Sequence, residues 1–220
     1  MTTIYFVRHA HSPWVPNREA ERPLSERGHR DAKRVAALLA DEKIDAVVSS
    51  PFARARQTVR PVADHHGVEI VEEEGFRERQ LTDGPVETIG ETFESAIERV
   101  WSDWSFSWPD GESNDDAQAR GLAAVERTIN RHVGESVAVG THGNLLTLVL
   151  NEYDEGFDVE FWRNRPDDAR RVRSRVFGRV PRRPRENQTS IRVSGGRAFN
   201  PATSTRDERC GQFFRSPSVE

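Results

Sequence analysis

Two β-prone runs in this chain end on histidines. Ile4-Tyr5-Phe6-Val7 is followed at once by Arg8-His9, and Ser136 to Thr141 by His142-Gly143-Asn144. A third run, Ile44 to Ser50, ends in two serines, with Arg54 at the front of the helical stretch that follows. In open α/β sheets, ligands bind at the carboxyl ends of the strands. If these three strands are neighbours, their ends bring together two imidazoles, two guanidiniums and the N-termini of the following helices. Guanidinium forks and helix N-termini both favour phosphate. An imidazole with one nitrogen free and the other held by a hydrogen bond is a nucleophile. The chemistry expected is therefore the handling of a phosphoryl group. No GxxxxGK[ST] pattern is present, so no nucleotide-cradling glycine loop supplies the phosphate site.

The remaining elements must hold these ends together. Pro13 to Pro23 reads as a polar loop over the mouth of the first strand. Ser25 can cap the next helix, with Glu26 in its first turn and Ala32, Val35, Ala36, Leu38 and Leu39 as its apolar face. Ala53 to His66 reads as a helix interrupted or kinked at Pro61, and Val68 to Val71 as another strand. The β-α-β-α-β order argues for a parallel sheet. Residues 86–104 carry Ile89, Phe93, Ile97, Val100 and Trp101 at helical spacing, to pack on the core or cover the site. Asp115 to His132 is a further helix, and Leu145 to Leu150 opens an apolar one. The fold class expected is α/β, a three-layer sandwich with a mostly parallel central sheet and helices on both faces.

The chain has 220 residues and a formal net charge of −4, and that average conceals an asymmetry. Residues 161–220 contain 15 Arg, no Lys and six acidic residues, a net of +9. Residues 1–160 carry 17 basic against 30 acidic residues, a net of −13, and Lys33 and Lys43 are the only lysines. Such an acidic, lysine-poor body stays hydrated at high salt and is compatible with a halophilic source. The single cysteine, Cys210, excludes an internal disulfide and a cysteine-based zinc site. No apolar window is long enough for a membrane span and no signal peptide is visible, so a soluble cytoplasmic protein is expected.

Taken in order, four blocks resemble the histidine phosphatase superfamily, also called phosphoglycerate-mutase-like. Arg8-His9-Ala10 resembles its arginine-histidine-glycine signature, and Ser49 to Thr58 its second arginine block. Phe76 to Leu81 resembles its acidic block, and Val139 to Gly143 its second histidine block. Leu24 to Gly28 and Gly111-Glu112-Ser113 are weaker matches. The resemblance covers roughly residues 3–150. It implies that His9 is the nucleophile, forming a phosphohistidine, and that Arg8, Arg54 and His142 clamp the phosphoryl oxygens. It also implies that Glu78 protonates the leaving alkoxide and then takes a proton from water. The family register selects Arg54 over Arg56, and only the register distinguishes Glu78 from Glu72, Glu73 and Glu74. No metal and no cofactor is expected, because the arginines supply the charge. His9 and His11 form a His-x-His pair without Asp or Cys ligands nearby, so His11 is expected to be a loop histidine rather than a metal ligand. Trp101, Trp104, Phe106 and Trp108 are expected in a core or lid.

The departures are informative. Ala10 replaces the signature glycine. Gln80-Leu81-Thr82 replaces the histidine-tyrosine-glycine continuation of cofactor-dependent phosphoglycerate mutases, and their lysine is missing. This favours a phosphatase acting on a small phosphorylated substrate over a mutase. A non-catalytic phosphate-binding protein with a nucleic-acid-binding tail is the alternative from another class. The resemblance ends near Arg163. Residues 1–160 are expected to form the phosphatase-like domain and 161–220 an irregular Arg- and Pro-rich tail. Three readings of that tail stand side by side: a basic segment binding nucleic acid or an acidic partner, a solvated tail without a role, or sequence translated out of frame.

Overall fold

A computed structural model of the chain describes residues 2–15, 18–84, 90–163 and 176–177. In chain order it contains β1 (Thr3–Arg8), α1 (Glu26–Leu39), β2 (Ala46–Ser49), α2 (Ala53–His66), β3 (Ile70–Glu72), α3 (Phe93–Ser102), α4 (Asn114–Arg131), β4 (Ser136–Thr141), α5 (Gly143–Asn151), α6 (Val159–Arg163) and β5 (Val176–Phe177). The strands form one sheet in the order β3-β2-β4-β1-β5. The first four are parallel, and β5 pairs antiparallel with β1 through Phe6–Phe177 and Val7–Val176.

Alternation along the strands builds two cores. On one face Ile4, Phe6, Val48, Val137 and Val139 pack with Val125 and Ile129 of α4 and with Leu145, Leu146, Val149 and Leu150 of α5. On the other, Val7, Val47 and Ala138 meet Val35 and Leu39 of α1 and Val59, Val62 and Ala63 of α2. Each Val, Leu, Ile or Phe among them, fully buried, contributes roughly 1.5–3 kcal/mol. The chain thus adopts the expected α/β arrangement of a mostly parallel sheet between two helical layers.

Four local expectations need correction or restriction. Helix α2 runs unbroken through Pro61; proline forgoes only the bond to the Gln57 carbonyl. The helix expected over 86–104 begins at Phe93, because Thr92 forms a capping box with Ser95; residues 85–89 lie outside the described residues. The third strand is displaced to Ile70–Glu72 by its register with Val47 to Ser49. Of the expected 161–220 tail, Val176–Phe177 forms the edge strand β5 and 161–163 complete α6; the rest lies outside the described residues.

Ser25 caps α1, accepting from the Gly28 N–H at 3.0 Å. A Cβ on Gly28 would stand 2.1 Å from the His11 carbonyl oxygen, a backbone atom on the loop leaving the first strand. Gly28→Ala is accordingly expected to destabilise the fold by about 1–3 kcal/mol, as overpacking does. Chemical denaturation of the two proteins checks this.

Candidate active site

The parallel pairing of β1 with β4 sets Arg8 opposite Thr141, so the next residues, His9 and His142, emerge side by side. The His9 N–H donates to the Thr141 carbonyl at 2.8 Å, and the two imidazole centroids lie 5.2 Å apart. β2 ends one strand further along, where the Ser50 N–H donates to the Gly140 carbonyl at 2.8 Å. Arg54 then follows in the first turn of α2 and is fully buried. Thr58, one turn on, donates to the Arg54 carbonyl at 2.6 Å and accepts from the Ala10 N–H at 2.9 Å, tying the His9–Ala10 turn to α2. Ala10 itself is buried against Leu24 and Ala32, so its methyl is absorbed by a small apolar cluster.

The His9 ring has a defined tautomer. Its Nδ1 lies 2.8 Å from the Ala10 carbonyl oxygen. A carbonyl only accepts, so Nδ1 carries the proton and Nε2 keeps its lone pair. Desolvation, then the charges of Arg54 and Arg8, hold His9 well below the usual imidazole range, against the opposing pull of the Ala10 carbonyl. The ring is neutral at neutral pH. His142 is lowered in the same way by burial first, then by Arg54 and His9. Burial also lowers the Arg54 guanidinium, to about 10, while Glu19 and Glu78 pull it back up; it stays charged at neutral pH.

Glu78 is delivered by a separate device. Its carboxylate accepts from the N–H groups of Leu145 at 3.0 Å and Asn144 at 3.3 Å, in the first turn of α5, and from Arg79 N–H at 3.0 Å. His142 is the N-cap of that same helix. One helix N-terminus therefore gathers both the second histidine and the acid. The segment carrying Glu78 is braced by Glu112, which pairs with Arg77 at 2.8 Å and Arg120 at 2.8 Å. Arg120 also donates to the carbonyls of Gly75 and Arg77. Burial pushes the Glu112 carboxyl up, but Arg120 and Arg77 outweigh it and hold it low and charged.

His9, His142, Arg8, Arg54 and Glu78 thus converge on one end of the sheet. His11 does not join them: its Nδ1 is 2.7 Å from Ser25 Oγ at the cap of α1. Among the described residues no cluster of three His, Cys, Asp or Glu could hold a metal ion. Trp101, Phe106 and Trp108 pack on Leu81, Ala96, Ile97 and Val100 in a third cluster built around α3. No helix among the described residues is long and apolar enough to cross a membrane.

Sequence reasoning missed two residues here, Glu19 and Arg22. Glu19 accepts from Arg54 twice, through its carbonyl and its carboxylate, both at 2.5 Å. Arg22 grips the same carboxylate at 2.8 Å, and its charge acts on both histidines. Within a polar loop rich in Arg and Glu, nothing in the spacing separated this pair from solvated charges; the signal was only that Arg22 directly precedes Pro23-Leu24-Ser25, the entry to α1.

Comparisons with known proteins identify the family. Residues 4–180 match the model of the histidine phosphatase superfamily (branch 1). The chain is 30% identical over 160 residues to a protein of Photorhabdus laumondii named "Probable phosphoglycerate mutase GpmB", covering 68% of this chain and 74% of that one. It superposes on YhfR of Bacillus stearothermophilus with a TM-score of 0.60 at 27% identity, covering 76% of this chain and 86% of the other. A mycobacterial glucosyl-3-phosphoglycerate phosphatase, solved in complex with inorganic phosphate, shares the fold with a TM-score of 0.59 at 21% identity, covering 68% and 77% of the two chains. A sheet that sets paired histidines and a buried arginine at its carboxyl end, matched to this model over most of its length, makes the chain a member of branch 1 of the histidine phosphatase superfamily.

Proposed function

We propose that this protein is a cytoplasmic phosphatase that hydrolyses a small phosphate monoester through a phosphohistidine at His9. The observation that carries the reading is the His9 ring itself: neutral, with Nδ1–H spent on the Ala10 carbonyl and Nε2 left as a lone pair beside Arg54 and His142. In the first step Nε2 attacks phosphorus, the ester P–O bond breaks, and Glu78 gives a proton to the departing oxygen. In the second, water attacks the phosphohistidine, Glu78 takes its proton, and inorganic phosphate leaves with Nε2 restored. Arg8, Arg54 and His142 hold the phosphoryl oxygens, where charge stabilisation and positioning are most of what a protein supplies. A phosphoryl group seated there competes with the Glu19 carboxylate for Arg54.

The named relatives include a "Probable phosphoglycerate mutase" and a glucosyl-3-phosphoglycerate phosphatase. Hydrolysis is favoured here because Gln80 and Leu81 are committed elsewhere. Gln80 Nε2 donates to the Asp110 carbonyl at 3.0 Å, and Leu81 is buried in the α3 cluster. Neither is offered to a second phosphate that a mutase would have to retain. The test is turnover of an aryl and an alkyl phosphate by wild type and Glu78→Gln, at low and high salt because of the acidic body. General acid catalysis is worth about 10²–10⁴-fold. Glu78→Gln is expected to lose that factor in kcat/KM, which reports the phosphorylation of His9 alone, on the alkyl ester and far less on p-nitrophenyl phosphate, whose leaving group needs no proton. Equal losses of kcat/KM on both esters would remove Glu78 from the acid role. Interconversion of 2- and 3-phosphoglycerate stimulated by the bisphosphate, without hydrolysis, would establish the mutase instead.

A further inference from the structure

His142 is enclosed on all sides that the structure describes. It has no exposed surface, its ring stands edge-on to Phe52 at 5.1 Å, and His9 lies at 5.2 Å. One ring nitrogen, Nε2, is 2.7 Å from Ser50 Oγ. The other, Nδ1, is buried and has no hydrogen-bond partner among the described residues. Ser50 is equally buried, and its oxygen already accepts from the Phe52 N–H at 3.2 Å.

Counting protons decides between the two tautomers. Burial and the neighbouring Arg54 keep His142 neutral, so the ring carries a single N–H. If that proton sat on Nε2, it would be donated to Ser50 Oγ. The serine hydroxyl hydrogen would then have no acceptor among the described residues, and Nδ1 would be a buried lone pair without a donor. If the proton sits on Nδ1, Ser50 O–H donates to Nε2 while still accepting from Phe52. Every group is then satisfied except the Nδ1–H donor. Buried polar groups are rarely left without partners, and a buried donor left over at a phosphoryl-handling site is one the ligand completes.

We propose that the Ser50 hydroxyl donates to His142 Nε2 and so fixes His142 as its Nδ1–H tautomer, which presents that N–H to the phosphoryl group carried by His9. Ser50 is a positioning residue: it touches no substrate and acts only through the imidazole. The inference rests on the phosphatase reading for what Nδ1 meets, whereas the tautomer and its dependence on Ser50 do not. Neutral imidazoles elsewhere are oriented by a partner on the second nitrogen in the same way.

The experiment uses the full chain labelled with 15N-histidine. Long-range 15N–1H correlation spectra show which nitrogen of each ring is protonated, and the His142 signals are identified by their loss in His142→Gln. The expected result in wild type is protonation at Nδ1, with that N–H resonance moving when inorganic phosphate is added. Ser50→Ala, which removes one oxygen without changing shape, should shift His142 towards the Nε2–H form. It should also lower kcat on p-nitrophenyl phosphate roughly 10- to 100-fold, by analogy with partners that orient metal-ligating imidazoles, with little change in KM. Ser50→Thr, which keeps the hydroxyl, should restore the wild-type tautomer. An Nε2–H tautomer in wild type overturns the proposal. So does an unchanged tautomer in Ser50→Ala. If wild type shows the Nδ1–H form and the Ser50 dependence but hydrolyses no ester, the phosphatase reading fails and the assignment of Ser50 stands.

Discussion

His9→Ala is expected to reduce phosphatase kcat by roughly 10³- to 10⁶-fold, the scale on which loss of a covalent nucleophile is felt. The fold should survive. His9 stands at the mouth of the sheet, partly exposed, and its backbone N–H to Thr141 is independent of the side chain. Its one side-chain hydrogen bond, to the Ala10 carbonyl, is local. Removing the ring therefore deletes the proposed nucleophile while leaving Arg8, Arg54 and His142 in position. Binding of inorganic phosphate should persist in the variant even as turnover vanishes. Parallel measurement of hydrolysis and of phosphate affinity checks both halves. Retained turnover near the wild-type rate would mean that water attacks the ester directly.

Arg54→Ala should be the next most damaging change, lowering kcat/KM by roughly 10³-fold, as loss of a charge-stabilising arginine does in phosphoryl transfer. The guanidinium is buried beside both histidines and its charge depresses both of them. Its removal has a second, signed consequence. His9 and His142 lose a repelling cation, so their pKa values rise toward the ordinary imidazole value from below. The acidic limb of the rate profile, where His9 becomes protonated and ceases to be a nucleophile, should move to higher pH in the variant. Arg54→Lys retains a point charge without the planar fork, so it should recover more of the pH profile than of the rate. The structural cost is contained because Glu19 keeps its contacts with Arg22. Rate–pH profiles of the three proteins report both effects. An unshifted limb in Arg54→Ala would show that another group sets the ionisation of His9.

The parts of this site that the sequence revealed are those fixed by local pattern. β1 and β4 are short apolar runs with histidines just past their ends, and strand alternation made their burial legible. Ser25 as a cap and Arg54 at the head of α2 followed from the same local rules. Glu78 could not be read this way. It lies just beyond three consecutive glutamates, and what distinguishes it is the pair of N–H groups offered by α5, 66 and 67 residues later. The Glu112 bridge that steadies it spans 35 residues to Arg77. Glu19 and Arg22 escaped for a related reason: a charged loop looks solvated until the fold closes it over the strand ends. Pro61 misled in the opposite direction, because packing of Val59, Val62 and Ala63 on the sheet outweighs one lost backbone bond. The strand at Val176–Phe177 was hidden in arginine-rich sequence, where two residues are too few to show a period.

The central claim is that the phosphoryl group passes through Nε2 of His9. The most direct test is capture of that intermediate. Wild-type enzyme turning over p-nitrophenyl phosphate is quenched into alkaline denaturant, where phosphohistidine is stable, and digested for mass spectrometry. Capture is repeated with Glu78→Gln, in which removal of the base should slow the attack of water and let the intermediate accumulate. The account predicts one phosphoryl group on the peptide containing His9, more abundant in Glu78→Gln, lost on acid treatment and absent from His9→Ala. Phosphate on another residue, or steady hydrolysis with no phosphoryl group on His9 in either protein, would contradict it.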